Sequence, residues 1–117
     1  KSYRPYKESI SILVAAISYA SGLSEDVCDE QFHRTMHRFF PNGRQLRPFP
    51  RSSLTLHVVS DAMDHVTTSS RTIKQLVLDA AVFCSECDRE TTIHELELIR
   101  ALSASLGLPP PALPRPV

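Results

Sequence analysis

The stretch from Ser70 to Gly107, SRTIKQLVLDAAVFCSECDRETTIHELELIRALSASLG, decides the fold. Its first half, up to Cys87, repeats apolar residues every three to four positions, which is the period of a helix that buries one broad face. Its second half opens with Thr92 and has Glu95 three positions later, the spacing of a capping box in which each side chain accepts a hydrogen bond from the other residue's backbone N–H. Gly107 then ends the helix, because glycine readily adopts the left-handed conformation that closes many helices. The stretch therefore predicts two helices joined by a short polar turn.

Three more helices are expected upstream, over about Tyr6 to Gly22, from Ser24 to Pro41, and over about Ser53 to Val66. The residues predicted to face the core in these three are Ile10, Leu13, Val14, Ile17 and Ala20, then Phe32, Met36, Phe39 and Phe40, then Val58, Val59, Ala62, Met63 and Val66. In the last two helices they are Ile73, Leu76, Val77, Ala80, Ala81, Phe83, Cys84 and Cys87, then Ile93, Leu96, Ile99, Leu102 and Leu106. No segment alternates with the period of two that marks a strand. The fold class predicted is all-α, an antiparallel bundle of about five helices.

Length and composition predict one domain over residues 1–117, with a proline-rich tail over residues 108–117. The 13 basic and 13 acidic side chains give a formal net charge of zero, which argues against a general nucleic-acid-binding protein. Three cysteines do not indicate a disulfide framework and favour a reducing compartment. No apolar run approaches the length of about eighteen residues that spans a bilayer. The chain begins at Lys1 rather than at methionine, so we expect a fragment of a longer protein.

Cys84 and Cys87 form a C-x-x-C pair, which in other settings binds zinc or carries out redox chemistry. A zinc site requires two further ligands, for which the nearest candidates are His94 and either Cys28 or His33. A thioredoxin-type pair lies at the start of a helix after a strand, whereas this pair closes a predicted helix. The favoured interpretation is that both cysteines are small core residues.

The turn after Cys87 carries acidic residues that resemble parts of metal-binding motifs. His94 and Glu95 begin like the H-E-x-x-H motif of zinc proteases, but the second histidine is missing. Asp88, Glu90 and Glu95 are weak candidates for binding a divalent cation, because the turn lacks the length and the central glycine of a calcium loop. The favoured interpretation is solvated loop charge, with Glu95 in the capping box. No catalytic residue is predicted.

Five arginines and no carboxylate lie between residues 34 and 51, and they are Arg34, Arg38, Arg44, Arg47 and Arg51. Three phenylalanines, Phe39, Phe40 and Phe49, are interleaved with them. Such a mixture is found in proteins that bind single-stranded nucleic acid or anionic lipid. A solvated basic surface, with the aromatic rings in the core, is the favoured alternative. Contact with an anionic membrane surface stays open, and nucleic acid is not expected.

Residues 76–111 carry a family resemblance, through LVLDAA at 76–81, DRETTIHELELIRAL at 88–102 and LGLPPP at 106–111. They resemble the helical region at the C-terminal end of bacterial membrane zinc metallopeptidases of the HtpX-like and CAAX-prenyl-endopeptidase-like group, which is similar in turn to tellurite-resistance TerB-like domains. The family pattern is a helix ending in Ala-Asp-Gly, a threonine or serine cap, an acid pair, Leu-Leu-Arg and a Leu-Gly-x-Pro-x-Pro ending. This chain departs from it at Arg89, which replaces the glycine, and at His94, which replaces the first acid.

The resemblance implies a TerB-like fold and a non-catalytic accessory domain, regulatory or interacting, of a membrane-bound zinc endopeptidase. Zinc would lie in a peptidase domain upstream, and this domain would lie on the cytoplasmic side of the bacterial inner membrane. Its partner would be that peptidase domain or another protein. The alternative is a stand-alone TerB-like sensor that binds a divalent cation through Asp88, Glu90 and Glu95.

Three apolar residues, Leu56, Val82 and Leu98, fall outside the predicted core faces. They indicate either a second buried face or a contact with a second copy of the chain, and the sequence leaves both open.

Overall fold

The computed structural model describes residues 4–41, 49–87 and 91–111, and these residues are entirely helical or irregular. They form α1 (Lys7–Tyr19), α2 (Glu25–Phe39), α3 (Leu56–Val66), α4 (Arg71–Ser85) and α5 (Ile93–Leu106), with 3-10 turns at Arg4–Tyr6 and Arg51–Ser53. The predicted all-helical bundle of about five helices is confirmed.

The first helix, α1, is the centre of the bundle, because it packs against each of the other four helices. It is buried on nearly every side, which is expected of a helix that is hydrophobic all round. Even its serines are buried, and the hydroxyls of two of them donate to backbone carbonyls. Ser11 Oγ donates to Lys7 O at 2.9 Å, and Ser18 Oγ donates to Cys28 O at 2.6 Å. The sequence predicted only one buried face for this helix.

Four of the helices begin at a serine or threonine whose hydroxyl accepts the backbone N–H of the third helical residue. These N-caps are Ser24, Thr55, Ser70 and Thr92. The prediction that the third helix starts at Ser53 is wrong by three residues. Ser53 Oγ donates to Pro50 O at 2.9 Å inside a 3-10 turn, so Thr55 is the first hydroxyl free to cap.

The end of α5 shows why the chain stops being helical there. Gly107 adopts a left-handed φ of 68°. Its N–H bonds to Ala104 O at 3.2 Å, and the N–H of Leu108 bonds to Ser103 O at 3.0 Å. This pair of hydrogen bonds is the Schellman motif, and the buried Leu108 supplies the apolar contact that accompanies it.

The core contains most of the residues predicted for it, from all five helices. The prediction that Ile93 faces the core is wrong, because this side chain is 61% exposed. It is the first residue of α5, and its side chain leaves the bundle before the helix turns its apolar face inward. Seven other predicted residues are half-buried, namely Ala20, Phe39, Val58, Met63, Leu76, Phe83 and Cys87.

Candidate functional site: an apolar groove between α1, α3 and α5

Cys84 is a core residue, as the favoured interpretation holds. Its side chain is fully buried, and its Sγ lies 3.9 Å from Val14 O. Burial raises the pKa of the Cys84 thiol to about 12, so the thiolate that a metal or an electrophile requires does not form near neutral pH. Cys87 is half-buried.

Cys28 is buried, and its thiol donates to Ser18 O at 3.2 Å. Among the described residues no group of three or more His, Cys, Asp or Glu side chains converges on a metal site.

The capping box at the start of α5 is confirmed, and it is more extensive than the sequence indicates. Glu95 is 0% exposed, and its Oε1 accepts the Thr92 N–H at 2.8 Å. Thr92 Oγ1 accepts the Glu95 N–H at 3.1 Å and donates to Ala20 O at 2.9 Å. The last bond joins α5 to the end of α1. Glu95 therefore has a structural role in the described structure, while Asp88 and Glu90 lie outside the described residues.

Two of the arginines on α2 are engaged with neighbouring side chains. Arg34 pairs with Glu30 at 3.3 Å, one turn earlier on the exposed face. The Arg38 guanidinium lies 5.5 Å from the ring centroid of Phe39 and 5.3 Å from that of Phe83, and the two rings pack edge to face. These aromatic rings are half-buried, so they join the surface to the core.

Arg51 lies elsewhere. Its guanidinium stacks 4.9 Å from the Tyr19 ring centroid and donates to Leu23 O at 3.3 Å, just before α2 begins. Arg38 is next to the last residue of α2, so about 20 Å of helix separates the two arginines at 1.5 Å of rise per residue. Arg44 and Arg47 lie outside the described residues. The described arginines of the stretch do not form one basic cluster.

A serine–histidine contact joins α1 to α3, and sequence reasoning missed it. Ser9 Oγ lies 2.8 Å from His65 Nδ1, and the ring of Tyr6 packs 4.8 Å from the imidazole. The distance matches that of a nucleophile and its base. However, Ser9 is only 8% exposed, and no carboxylate hydrogen-bonds to His65 among the described residues. The contact therefore positions the two helices. Ser9 and His65 are 56 positions apart, so no local sequence pattern predicts the contact.

A groove of about 320 Å³ lies between α1, α3 and α5. Its apolar lining residues are Ala16, Leu54, Leu56, Val59 and Leu98, and Tyr19 and Arg51 complete it. This set defines the α1–α3–α5 groove. Two of the three residues outside the predicted core faces, Leu56 and Leu98, therefore belong to one surface feature. Val82 and Leu98 are both half-buried against the core, but Val82, on α4, does not line the groove.

The segment that precedes α3 contributes Arg51 and Leu54 to one side of the groove. Tyr19 Oη donates to Phe49 O at 2.9 Å, which fixes this segment to the last residue of α1. The 3-10 turn Arg51–Ser53 follows and carries the chain to Leu54 and Leu56. Leu56 is the first residue of α3 and is 86% exposed, more than any other large apolar residue in the described part of the chain.

The charge near the groove comes from Arg51 and from two acids on α2. Burial raises the pKa of the Tyr19 phenol, nearby Asp29 and Glu25 raise it further, and Arg51 lowers it. Among the described residues no carboxylate forms an ion pair with Arg51 within 4.0 Å. The cation is therefore fixed in position by a ring and a carbonyl, while its charge is not neutralised by a direct partner.

A second depression of about 490 Å³ lies on α4, lined by Arg71, Thr72, Gln75, Leu76 and Asp79. Most of the residues that line it are polar or charged, and Gln75 Nε2 donates to Asp79 Oδ1 at 2.9 Å. It lacks a highly exposed apolar side chain such as Leu56 of the α1–α3–α5 groove.

Comparison with family models, with curated proteins and with solved structures finds no match to this chain. None of the helices in the described ranges has both the length and the apolar character needed to cross a membrane.

Proposed function

We propose that this chain is a non-catalytic interaction domain that binds a protein segment through the α1–α3–α5 groove. The observation that carries the proposal is the 86% exposed side chain of Leu56 at an apolar groove. Apolar residues gathered in an exposed groove mark surfaces that bind proteins or ligands, whereas single scattered ones are ordinary. Leu56 lies in the same groove as the half-buried Leu54 and Leu98.

We further propose that the domain is the accessory part of a membrane-bound zinc endopeptidase. The support is the order of elements in residues 76–111: an apolar helix, a turn, a threonine cap with its acid, and a Leu-Gly-Leu-Pro ending. In such a protein the zinc and its ligands belong to an upstream peptidase domain on the cytoplasmic side of the membrane. That peptidase domain, or a protein it acts with, would supply the segment that binds the groove.

The chemistry of the described residues is consistent with an accessory role. Cys84 keeps its proton near neutral pH, and Glu95 is committed to the α5 cap. No observation in the described part of the chain favours the cation sensor, because Glu95 is buried and its Oε1 already accepts a backbone N–H.

The first test is the sequence of the whole protein. The proposal expects an H-E-x-x-H segment and an apolar stretch of about twenty residues upstream of Lys1. If neither is there, the peptidase assignment is wrong, and the proposed interaction domain has to be tested separately.

The second test measures proteolysis of a fluorogenic peptide by the full-length protein. Leu56→Glu places a charge in the groove, and we expect it to change the turnover rate. Ile93→Glu is the matched control, because Ile93 is also an exposed apolar residue at the first position of a helix, after a threonine cap, and it does not line the groove. Equal turnover for both variants and the wild type would contradict an accessory role of the groove in proteolysis.

A further inference from the structure

The walls of the α1–α3–α5 groove restrict what can occupy it. They are helices on three sides, and the described residues contain no strand whose edge a peptide could extend. Of the known modes of peptide recognition, this geometry suits an amphipathic helix that lays apolar side chains into a groove. The volume of about 320 Å³ is at the lower end of the range of about 300–1,000 Å³ found for small-ligand sites, and it accommodates a few aliphatic side chains.

Among the described residues, two polar side chains line the groove, and one of them, Arg51, has donors left for a partner. The Tyr19 hydroxyl already donates to Phe49 O. The Arg51 guanidinium has five N–H donors, and among the described residues the one hydrogen bond recorded for it goes to Leu23 O. The remaining donors, on a planar cation held against the Tyr19 ring, match the two oxygens of a carboxylate.

The acids on α2 do not replace such a partner. Glu25 and Asp29 influence the Tyr19 phenol, so they lie in the same region, but neither forms an ion pair with Arg51 within 4.0 Å. Attraction between charges falls with distance, so a carboxylate in direct contact with Arg51 outweighs their more distant repulsion.

We propose that the α1–α3–α5 groove binds an amphipathic α-helix whose leucine-like side chains enter the groove and whose aspartate or glutamate pairs with Arg51. This inference rests on the proposed function, namely that the groove binds a protein segment, and it adds the chemistry of that segment. The carboxylate selects the partner and its orientation, while the apolar contacts supply most of the affinity.

The experiment uses the whole chain and three synthetic helical peptides of about eighteen residues. The peptides share apolar residues at i, i+4 and i+7 and differ at one flanking position, which is Glu, Gln or Lys. Fluorescence anisotropy measures the Kd of each. We expect the Glu peptide to bind about tenfold more tightly than the Gln peptide, and the Lys peptide to bind most weakly.

Charge-reversal variants then locate the contact. Arg51→Glu should reverse the order, so that the Lys peptide binds best. Arg100→Glu makes the same charge change at an exposed position of α5, two residues beyond Leu98 and about 200° around the helix, and it should leave the order unchanged. Leu56→Glu should weaken all three peptides, whereas Ile93→Glu should weaken none.

The outcomes separate this inference from the function on which it rests. If the Glu and Lys peptides bind equally and Leu56→Glu weakens both, the groove binds helices without selecting for a carboxylate. Only the inference that a carboxylate pairs with Arg51 is then overturned. If binding occurs but Leu56→Glu has no effect, the groove is not the site and both proposals are overturned. If sedimentation shows dimers of this chain that Leu56→Glu dissociates, the occupant is a second copy and the inference is again overturned.

Discussion

The helix α5 approaches α1 in two regions, one joined by hydrogen bonds and the other lined by apolar side chains. At the start of α5, Thr92 and Glu95 close the contact with three hydrogen bonds, one of which reaches Ala20 O at the end of α1. Farther along α5, Leu98 lines a groove with Ala16 of α1, and that side of the contact remains open. One region is polar and joined by hydrogen bonds, and the other is a largely apolar groove that is open to solvent.

The difference separates a structural role from a binding role. Thr92 and Glu95 exchange hydrogen bonds at the α5 start, and Thr92 also bonds to Ala20 O, so a change there costs stability. Leu56 in the groove is constrained less by the fold, because most of its surface already faces water. Substitutions in the two regions should therefore have opposite signatures, with loss of stability at the first and loss of binding at the second.

The largest effect is expected where α5 enters the core. Ile99→Ala should lower the free energy of unfolding by about 2–5 kcal/mol, because Ile99 is fully buried and its loss leaves a cavity. Its neighbour Leu98, half-buried in the groove, should lose about 1 kcal/mol or less on the same change. Urea denaturation followed by circular dichroism measures both. Equal losses would mean that the groove is packed as tightly as the core.

The next effect compares two threonine caps. Thr92→Ala should cost about 1.5–3 kcal/mol, because it removes the cap of α5 and leaves the Ala20 carbonyl without its hydroxyl donor. Thr55→Ala removes the cap of α3, where the hydroxyl accepts only the Val58 N–H, and should cost about 1 kcal/mol. Thermal unfolding of the two variants gives the comparison. A larger loss at Thr55 would refute the structural importance of the α1–α5 hydrogen bond.

Tyr19→Phe tests the hydrogen bond that joins α1 to the segment before α3 at the groove. Loss of the hydrogen bond to Phe49 O should lower the free energy of unfolding by about 0.5–1.5 kcal/mol at neutral pH. Burial, more than the nearby acids, raises the pKa of Tyr19 above 10.0, so the unfolded chain ionises first. The stability that the neutral phenol contributes is full below pH 10 and is lost as the pH rises through the folded pKa. The phenylalanine variant should show a smaller alkaline loss, and urea titrations at neutral and alkaline pH measure it.

The smallest effect on stability is expected at Leu56. Leu56→Glu and Ile93→Glu should each change the free energy of unfolding by less than about 0.5 kcal/mol, because both side chains are exposed and an acid is favourable in the first turn of a helix. Chemical denaturation of both variants checks this. A loss above about 2 kcal/mol for Leu56→Glu alone would show that Leu56 stabilises the fold and is not a residue kept exposed for binding.

The sequence predicted those features that depend on residues close together in the chain. The Thr92–Glu95 cap, the Gly107 ending and the helix periodicity are local, and all three are present. The start of α3 was misplaced because Ser53 and Thr55 are both plausible caps, and only the 3-10 turn before α3 decides between them.

The groove could be predicted only in part. Leu56 and Leu98 stood out as apolar residues away from the core faces, but they are 42 positions apart. Their common location depends on how α3 and α5 pack around α1. The stacking of Arg51 on Tyr19 joins residues 32 positions apart and has no sequence signature. The arginine pattern instead indicated one basic stretch, which the described residues divide between the two ends of α2.

The most direct test of the binding role is an amide chemical-shift map of the ¹⁵N-labelled chain titrated with the Glu-bearing helical peptide. The account predicts that the largest shifts cluster at Ala16, Tyr19, Arg51, Leu56 and Leu98, and that Arg100→Glu leaves this map unchanged. Shifts concentrated on the exposed faces of α2 or α4, or no shifts at saturating peptide, would contradict the assignment of the α1–α3–α5 groove as the interaction surface.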